Sequence, residues 1–272
     1  MTIPDIKLAD GYSIPQIGLG LWQVKESSDF KNAFSAALKE GYRMFDSAQA
    51  YGNEQLLGQA IKESKINRSD LFITTKINVS NFGHKKTILS TKRSLQKLNT
   101  EYIDLMLLHF PVSVVRKKSW LALEELKKEG LIKSIGVSNY TIRHLKEMKN
   151  YASEKPVINQ VELHVFLQQP ELIDYCRQEN IVVEAYSPLA HGYDMDNQII
   201  KKIASKYSKS YAQIMLRFLI QLNCVVIPKS VSPARIKENI DIFDFELTNE
   251  EMKELKSIDR SLRTCWNPTL VP

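Results

Sequence analysis

Leu71-Phe72-Ile73-Thr74-Thr75-Lys76 and, after a helical segment, Ile103-Asp104-Leu105-Met106-Leu107-Leu108-His109 decide the fold. Each is a run of strand length that ends on a side chain able to do chemistry. Both are too continuously apolar for a sheet wetted on one face. Outward from them the same unit recurs. Gln16–Gly20 and Arg43–Asp46 precede, and Ile132–Val137, Val157–Val161, Ile181–Ala185 and Cys224–Ile227 follow, making eight runs. Between them lie helical stripes: Leu56, Leu57, Ala60 and Ile61; Trp120, Leu121, Leu123 and Leu126; Ile199, Ile200 and Ile203; Ile214, Phe218, Leu219 and Leu222. Thr248 with Glu251 three residues on reads as a capping box for a helix carrying Met252 and Leu255. The strand ends from Gly20 to Lys229 are spaced by about 30 residues, the size of a βαβ unit. Eight such units imply an α/β fold, a closed (β/α)8 TIM barrel covered by helices. At the N-terminus, Ile3–Leu8 and Tyr12–Pro15 flank Asp10-Gly11 and read as a β-hairpin on a type I′ turn.

Gly18-Leu19-Gly20-Leu21-Trp22-Gln23 begins like a dinucleotide fingerprint but carries Gln at the third glycine position. It reads as a tight strand-end turn and not as a Rossmann loop.

The 272 residues contain no long linker, exact repeat or low-complexity stretch, so a single domain over residues 1–272 is expected. A hydrophobic fraction of 43% and a charged fraction of 25% are ordinary for a globular chain. The start MTIPDIKLAD lacks the basic-then-apolar order of a signal peptide, and no run approaches the length of a membrane span. Cys176, Cys224 and Cys265 are few, odd in number and far apart, which argues for neither a disulfide framework nor a metal site and fits a cytoplasmic protein. The net charge of +6 permits nucleic-acid binding without indicating it. Lys85, Lys86, Lys92, Arg93 and Lys97 share a segment with Ile88, Leu89, Leu95 and Leu98, the pattern of a solvated face on an amphipathic helix. Neither nucleic acid nor membrane is expected as a partner.

Asp46, Tyr51, Lys76 and His109 stand at or just past strand ends, where an α/β barrel keeps its chemistry. Taken singly each has a plainer reading: Asp46 as a loop cap, Tyr51 as a packed aromatic, Lys76 as a strand terminator, His109 as a hydrogen-bonded structural residue. Gathered at one barrel mouth, they make a proton-donating set. Lys229, Ser230 and Arg235, with a helix starting at Pro233, could hold a phosphate. The combination suggests carbonyl reduction with a phosphorylated nicotinamide.

Gly41-Tyr42-Arg43-Met44-Phe45-Asp46-Ser47-Ala48, Tyr51-Gly52-Asn53-Glu54 and Leu57-Gly58 resemble the aldo-keto reductase family. The resemblance runs on through Thr75-Lys76, Leu107-Leu108-His109-Phe110-Pro111, Ile135-Gly136-Val137-Ser138-Asn139-Tyr140 and Asn159-Gln160-Val161-Glu162. It closes with Ala185-Tyr186-Ser187-Pro188-Leu189, Ile227-Pro228-Lys229-Ser230 and Arg235-Ile236-Lys237-Glu238-Asn239. The nearest flavour is that of the short prokaryotic-type 2,5-diketo-D-gluconate and methylglyoxal reductases.

The resemblance implies a monomeric NADPH-dependent reductase of small-molecule aldehydes and ketones. Tyr51 would be the proton donor, with Lys76 beside it to lower its pKa, Asp46 to hold the lysine, and His109 to orient the carbonyl. It places Tyr186 against the nicotinamide face, and Ser138, Asn139 and Gln160 on the carboxamide. Lys229, Ser230, Arg235, Glu238 and Asn239 would meet the adenosine 2′-phosphate and adenine. Gly20, Trp22, Ser187 and Leu189 would line the rest of the NADPH/NADP+ site. Trp22, Tyr51, His109, Phe110 and Trp266 would contact substrate.

The chain departs from many relatives at Lys76-Ile77-Asn78 and at Phe110, where they carry Trp, so a relative's substrate range does not transfer. A short segment after Pro111 and an end at Pro272 imply an open mouth suited to small or extended polar carbonyls. Two other readings compete: a non-catalytic NADP(H)-sensing or structural barrel, and a barrel aldolase using Lys76 as a Schiff-base lysine.

Overall fold

The computed structural model describes residues 3–112 and 114–272. Met1 and Thr2, part of the N-terminal stretch read above, lie outside the described residues. The chain opens with β1 (Asp5–Lys7) and β2 (Ser13–Pro15), antiparallel with Asp5 opposite Pro15. The hairpin is as expected, but its turn is not type I′. That turn needs positive φ at both central residues, and here only Gly11 has it, at +93°. Leu8 O accepts from Gly11 N at 3.1 Å, and Leu8 N donates to Tyr12 O at 2.8 Å. Ala9, Asp10 and Gly11 therefore form a three-residue loop whose left-handed glycine makes the bulge.

Eight parallel strands follow: β3 (Leu19–Gly20), β4 (Met44–Asp46), β5 (Phe72–Ile77), β6 (Ile103–Leu108), β7 (Ile132–Ser138), β8 (Ile158–Glu162), β9 (Val182–Tyr186) and β10 (Val225–Val226). Each pairs with the next in chain order. Parallel bridges Ile17–Val226 and Gly20–Lys229, with Gly20 N donating to Pro228 O at 3.1 Å, join the last strand to the first and close the barrel. At this seam the regular strands are shorter than the apolar runs Gln16–Gly20 and Cys224–Ile227, because pairing there is by isolated bridges.

The surrounding helices are α1 (Ser27–Lys39), α2 (Glu54–Ser64), α3 (His84–Leu98), α4 (Arg116–Lys128), α5 (Ile142–Met148), α6 (Pro170–Gln178), α7 (Gln198–Tyr207), α8 (Tyr211–Gln221), α9 (Pro233–Ile240) and α10 (Asn249–Lys256). The Thr248–Glu251 capping box forms at the start of α10, with Thr248 N donating to the Glu251 carboxylate at 2.8 Å. On α3, the buried face is Thr87, Ser90, Thr91, Ser94, Leu95 and Leu98, while Leu89 stays exposed.

Strand alternation sorts the apolar side chains into two cores. Met44, Phe72, Leu105, Leu107 and Ile158 fill the barrel interior together with Leu8 and Ile14 of the hairpin, which plug its N-terminal end. Ile73, Ile77, Met106 and Leu108 belong to the larger core shared with the helices. Burying each such side chain contributes about 1.5–3 kcal/mol. Above the interior plug, the same inward faces change to polar residues, and the site begins there.

Candidate active site

Phe72, Thr74 and Lys76 share one face of β5, so the inward phenylalanine at the bottom dictates an inward lysine at the top. Lys76 is 0% exposed. Its ammonium donates to Asp46 Oδ1 at 2.6 Å, to Ser47 O at 2.8 Å and to Tyr51 Oη at 3.3 Å. Those partners use all three of its hydrogens. Tyr51 comes from a 3-10 turn (Gln49–Tyr51) ended by Gly52 at φ +72°, a conformation that favours glycine. Asn53 anchors that turn, donating to Leu21 O at 2.8 Å and Val24 O at 3.0 Å and accepting from Ser47 Oγ at 2.7 Å. His109 follows β6, and its ring meets the Tyr51 ring edge-on at 5.8 Å between centroids. The four expected residues are thus brought together.

Burial pushes the Lys76 pKa down, but Asp46 and Tyr51 more than offset it, and the ammonium is held charged. A lysine so held is no Schiff-base nucleophile. Burial pushes the Tyr51 phenol up and outweighs the opposing pull of Lys76. Lys76 pulls the phenol down, as expected, but removal from water favours the neutral phenol more than the lysine favours phenolate, and the net shift is upward. Tyr51 consequently carries its proton at neutral pH. Burial, then the nearby Lys76 charge, lowers His109 to about 3, so its imidazole is neutral.

These groups open into a cavity of about 820 Å³ at the C-terminal mouth. Gly20, Trp22, Phe110, Ser138 and Asn139 are on its wall, as are Gln160, Tyr186, Ser187, Leu189, Lys229 and Trp266. Gly20 is required sterically: a Cβ there would lie 2.8 Å from Ile227 O across the barrel seam. Tyr186 Oη donates to Asn139 Oδ1 at 2.8 Å, while Asn139 Nδ2 donates to Ser138 Oγ at 3.0 Å and His109 O at 3.2 Å. Gln160 Nε2 donates to Asp46 Oδ2 and to Glu184 Oε2, both at 2.9 Å, leaving its oxygen for any further partner.

Trp22 and Trp266 are 43% and 79% exposed, and Trp266 meets Phe110 edge-on at 6.3 Å. The rim around the expected open mouth is therefore aromatic. Thr264 and Cys265, just before Trp266, donate their backbone N–H groups to buried Glu162 at 2.6 and 3.2 Å, which holds this part of the tail at the mouth.

Ser230, Arg235, Glu238 and Asn239 are not on the cavity wall; they continue from Lys229 into α9. Ser230 Oγ accepts from Ser232 N at 3.1 Å, Arg235 is exposed, and Asn239 is buried. Pro233 occupies the first turn of α9, and Ser232 makes no side-chain cap, which leaves the helix's first amides uncapped by it.

The sequence reading missed Glu184, whose signal was a charged residue inside the buried run Ile181–Ala185. It also missed His191, which touches Trp22 edge-on, and Cys265 at 3.4 Å from the His191 ring nitrogen. No local pattern marks either, because their neighbours come from distant parts of the chain.

Fold and site define an α/β barrel in which Asp46, Tyr51, Lys76 and His109 cluster at a cavity in the C-terminal mouth. The pattern of the aldo/keto reductase family matches residues 16–260. This chain belongs to that family and is an oxidoreductase. Over 263 residues it is 43% identical to the glyoxal reductase of Bacillus subtilis (strain 168), covering 97% of this chain and 95% of that protein. Over 267 residues it is 44% identical to the methylglyoxal reductase DkgA of Escherichia coli (strain K12), covering 97% and 96%. An aldo-keto reductase of Bombyx mori, solved in complex with NADP, superposes with a TM-score of 0.92 at 32% identity, over 97% of this chain and 95% of that one. Among the described residues, no helix is long and apolar enough to cross a membrane.

Proposed function

We propose that this chain, acting as a single domain and a monomer, reduces small aldehydes and ketones to alcohols with NADPH as hydride donor. One observation carries the reading: Tyr51 Oη lies at 3.3 Å from the buried Lys76 ammonium, itself bound to Asp46, at the wall of a cavity shared with His109. The residues present suit the cofactor. The Gly20 backbone comes to the cavity wall with no side chain, and the Tyr186 ring is held there by its hydrogen bond to Asn139. Gln160 keeps an acceptor oxygen for a carboxamide N–H, and Ser138 keeps its hydroxyl hydrogen for the carboxamide oxygen. Lys229, Arg235 and the uncapped first turn of α9 suit the 2′-phosphate. The Bombyx mori relative solved with NADP, and relatives named for glyoxal and methylglyoxal reduction, support the same cofactor and substrate class.

Held by these residues, NADPH would supply the hydride that the carbonyl carbon accepts. Neutral His109 donates a hydrogen bond to the carbonyl oxygen and orients it. As negative charge grows on that oxygen, Tyr51 gives up its proton, and the Lys76 ammonium stabilises the phenolate left behind. Asp46 keeps the ammonium charged and aimed. Trp22, Phe110 and Trp266 hold the body of the substrate and exclude water. Three free cysteines fit a protein of the reducing cytoplasm.

Following NADPH consumption with glyoxal, methylglyoxal, benzaldehydes and keto-sugars tests the reading. Tyr51→Phe should lower kcat by about 10²–10⁴-fold with NADPH affinity unchanged. Turnover like that of the wild type in this variant would remove Tyr51 as the acid. NADPH binding without turnover of any carbonyl would favour a sensing role.

A further inference from the structure

Glu184 is a buried acid with no part in the reaction as just proposed. On β9 it shares a face with Val182, which packs on the interior plug, and with Tyr186, which lines the cavity. Its carboxyl therefore points into the barrel one layer beneath the site, and it is 0% exposed. Oε2 accepts from Gln160 Nε2 at 2.9 Å, and the other hydrogen of that amide goes to Asp46 Oδ2, also at 2.9 Å. Gln160 is thus clamped between two carboxyl groups. Asp46, ionised against Lys76, can only accept, which fixes the amide with its nitrogen toward the acids and its oxygen toward the cavity.

The charged and titratable groups bearing on Glu184 are Asp46 on β4, Lys76 on β5 and Tyr51 from the loop between them. Its other strand neighbour, Val225 on β10, is apolar. Lys76 has no hydrogen left for it, having spent all three on Asp46, Ser47 and Tyr51. Glu184 Oε1 has no hydrogen-bond partner among the described residues. A second carboxylate in this place would be desolvated, half-satisfied and repelled by Asp46, so the neutral acid is the favoured form.

We propose that Glu184 is a positioning residue of the reaction. Protonated, it holds the Gln160 amide in its cofactor-binding orientation; ionised, it weakens Tyr51 as a proton donor. The proposal rests on the reading of Tyr51 as the acid. Burial and the Asp46 charge push the Glu184 carboxyl up to about 8. Its negative charge, once formed, raises the proton affinity of the Tyr51 phenol. A stronger hold on the proton makes a poorer acid. Reduction should therefore lose rate on the alkaline side when Glu184 ionises, while Tyr51 is still protonated.

The test is hydride-transfer rate in single turnover with pre-bound NADPH, followed across pH for wild type, E184Q and E184L. The wild type should show an alkaline limb near pH 8. E184Q, which keeps an acceptor for Gln160 and cannot ionise, should lack the limb and run within about twofold of wild type at low pH. E184L, which frees one Gln160 hydrogen, should bind NADPH several-fold more weakly. A limb unchanged in E184Q, or NADPH affinity unchanged in E184L, overturns the proposal.

A second readout needs no turnover. A carboxyl raised in the folded state adds stability at pH below its unfolded value of 4.5, and that stability is lost as pH rises toward about 8. The Tm of the wild type should therefore fall relative to E184Q across that range, whereas a parallel offset counts against a protonated Glu184. If E184Q does not fold, infrared titration of the wild type decides: a carboxylic-acid carbonyl band must persist at neutral pH and disappear on the alkaline side. Wild-type turnover in Tyr51→Phe would remove the catalytic role together with the reading beneath it, and the Tm and infrared results would still report the protonation of Glu184.

Discussion

Lys76 and Asp46 form an ion pair at 2.6 Å inside the barrel, and neither can be removed alone without stranding the other. Lys76→Met should cost about 3–5 kcal/mol in urea unfolding, because Asp46 is left as an uncompensated buried charge. Lys76→Met combined with Asp46→Asn should recover much of that loss. A single mutant as stable as the wild type would mean that Asp46 does not carry a charge there. His109 is the second residue whose environment makes a measurable claim. Its pKa in the folded protein, about 3, lies below the ordinary 6.5, so folded protein binds fewer protons at this ring than unfolded chain does. The stability it contributes is full above 6.5 and is lost as pH falls toward about 3. In an NMR titration the His109 ring signals should therefore stay still through neutral pH. A signal that moves near 6.5 would show an exposed or charged imidazole.

At the scale of elements, the seam strand β10, the Lys229 loop and α9 act as one phosphate-facing unit in the proposed function. Lys229 stands on the cavity wall and Arg235 lies exposed in α9. Charge-assisted hydrogen bonds of this kind are worth about 1.5–3 kcal/mol. Arg235→Ala should therefore weaken NADPH binding by about 10- to 100-fold, measured by tryptophan fluorescence, and leave NADH nearly unchanged. Equal losses for both would show that Arg235 does not read the 2′-phosphate. Pro233 at the first turn of this helix was legible from chain order alone, since proline suits that position. By contrast no sequence expectation covers α1, although its buried Phe30, Ala33, Phe34 and Ala37 make a regular helical stripe. The hairpin turn differs from the expected type I′ because Asp-Gly pairs serve both two- and three-residue loops, and only the φ of Asp10 separates them.

At the scale of the molecule, closure of the barrel depends on how closely its first and last strands approach. Gly20→Ala would put a Cβ at 2.8 Å from Ile227 O, on backbone that cannot swing away. The expected loss is about 1–3 kcal/mol in a denaturant melt, with NADPH affinity falling as well because the seam borders the cavity. A variant as stable as the wild type would mean that the seam can open without cost. By itself the sequence determined the order and number of the βα units, since the period of apolar runs reports which backbone faces are hidden from water. It also pointed to Asp46, Tyr51, Lys76 and His109, because charged and ring side chains at strand ends must share one barrel mouth. Only the tertiary structure decided the electrostatics. The neutral state of His109, the upward shift of Tyr51 and the clamp of Asp46 and Glu184 on Gln160 follow from burial and from partners far apart in the chain. Desolvation is a property of the folded surroundings, and no local stretch of sequence encodes it.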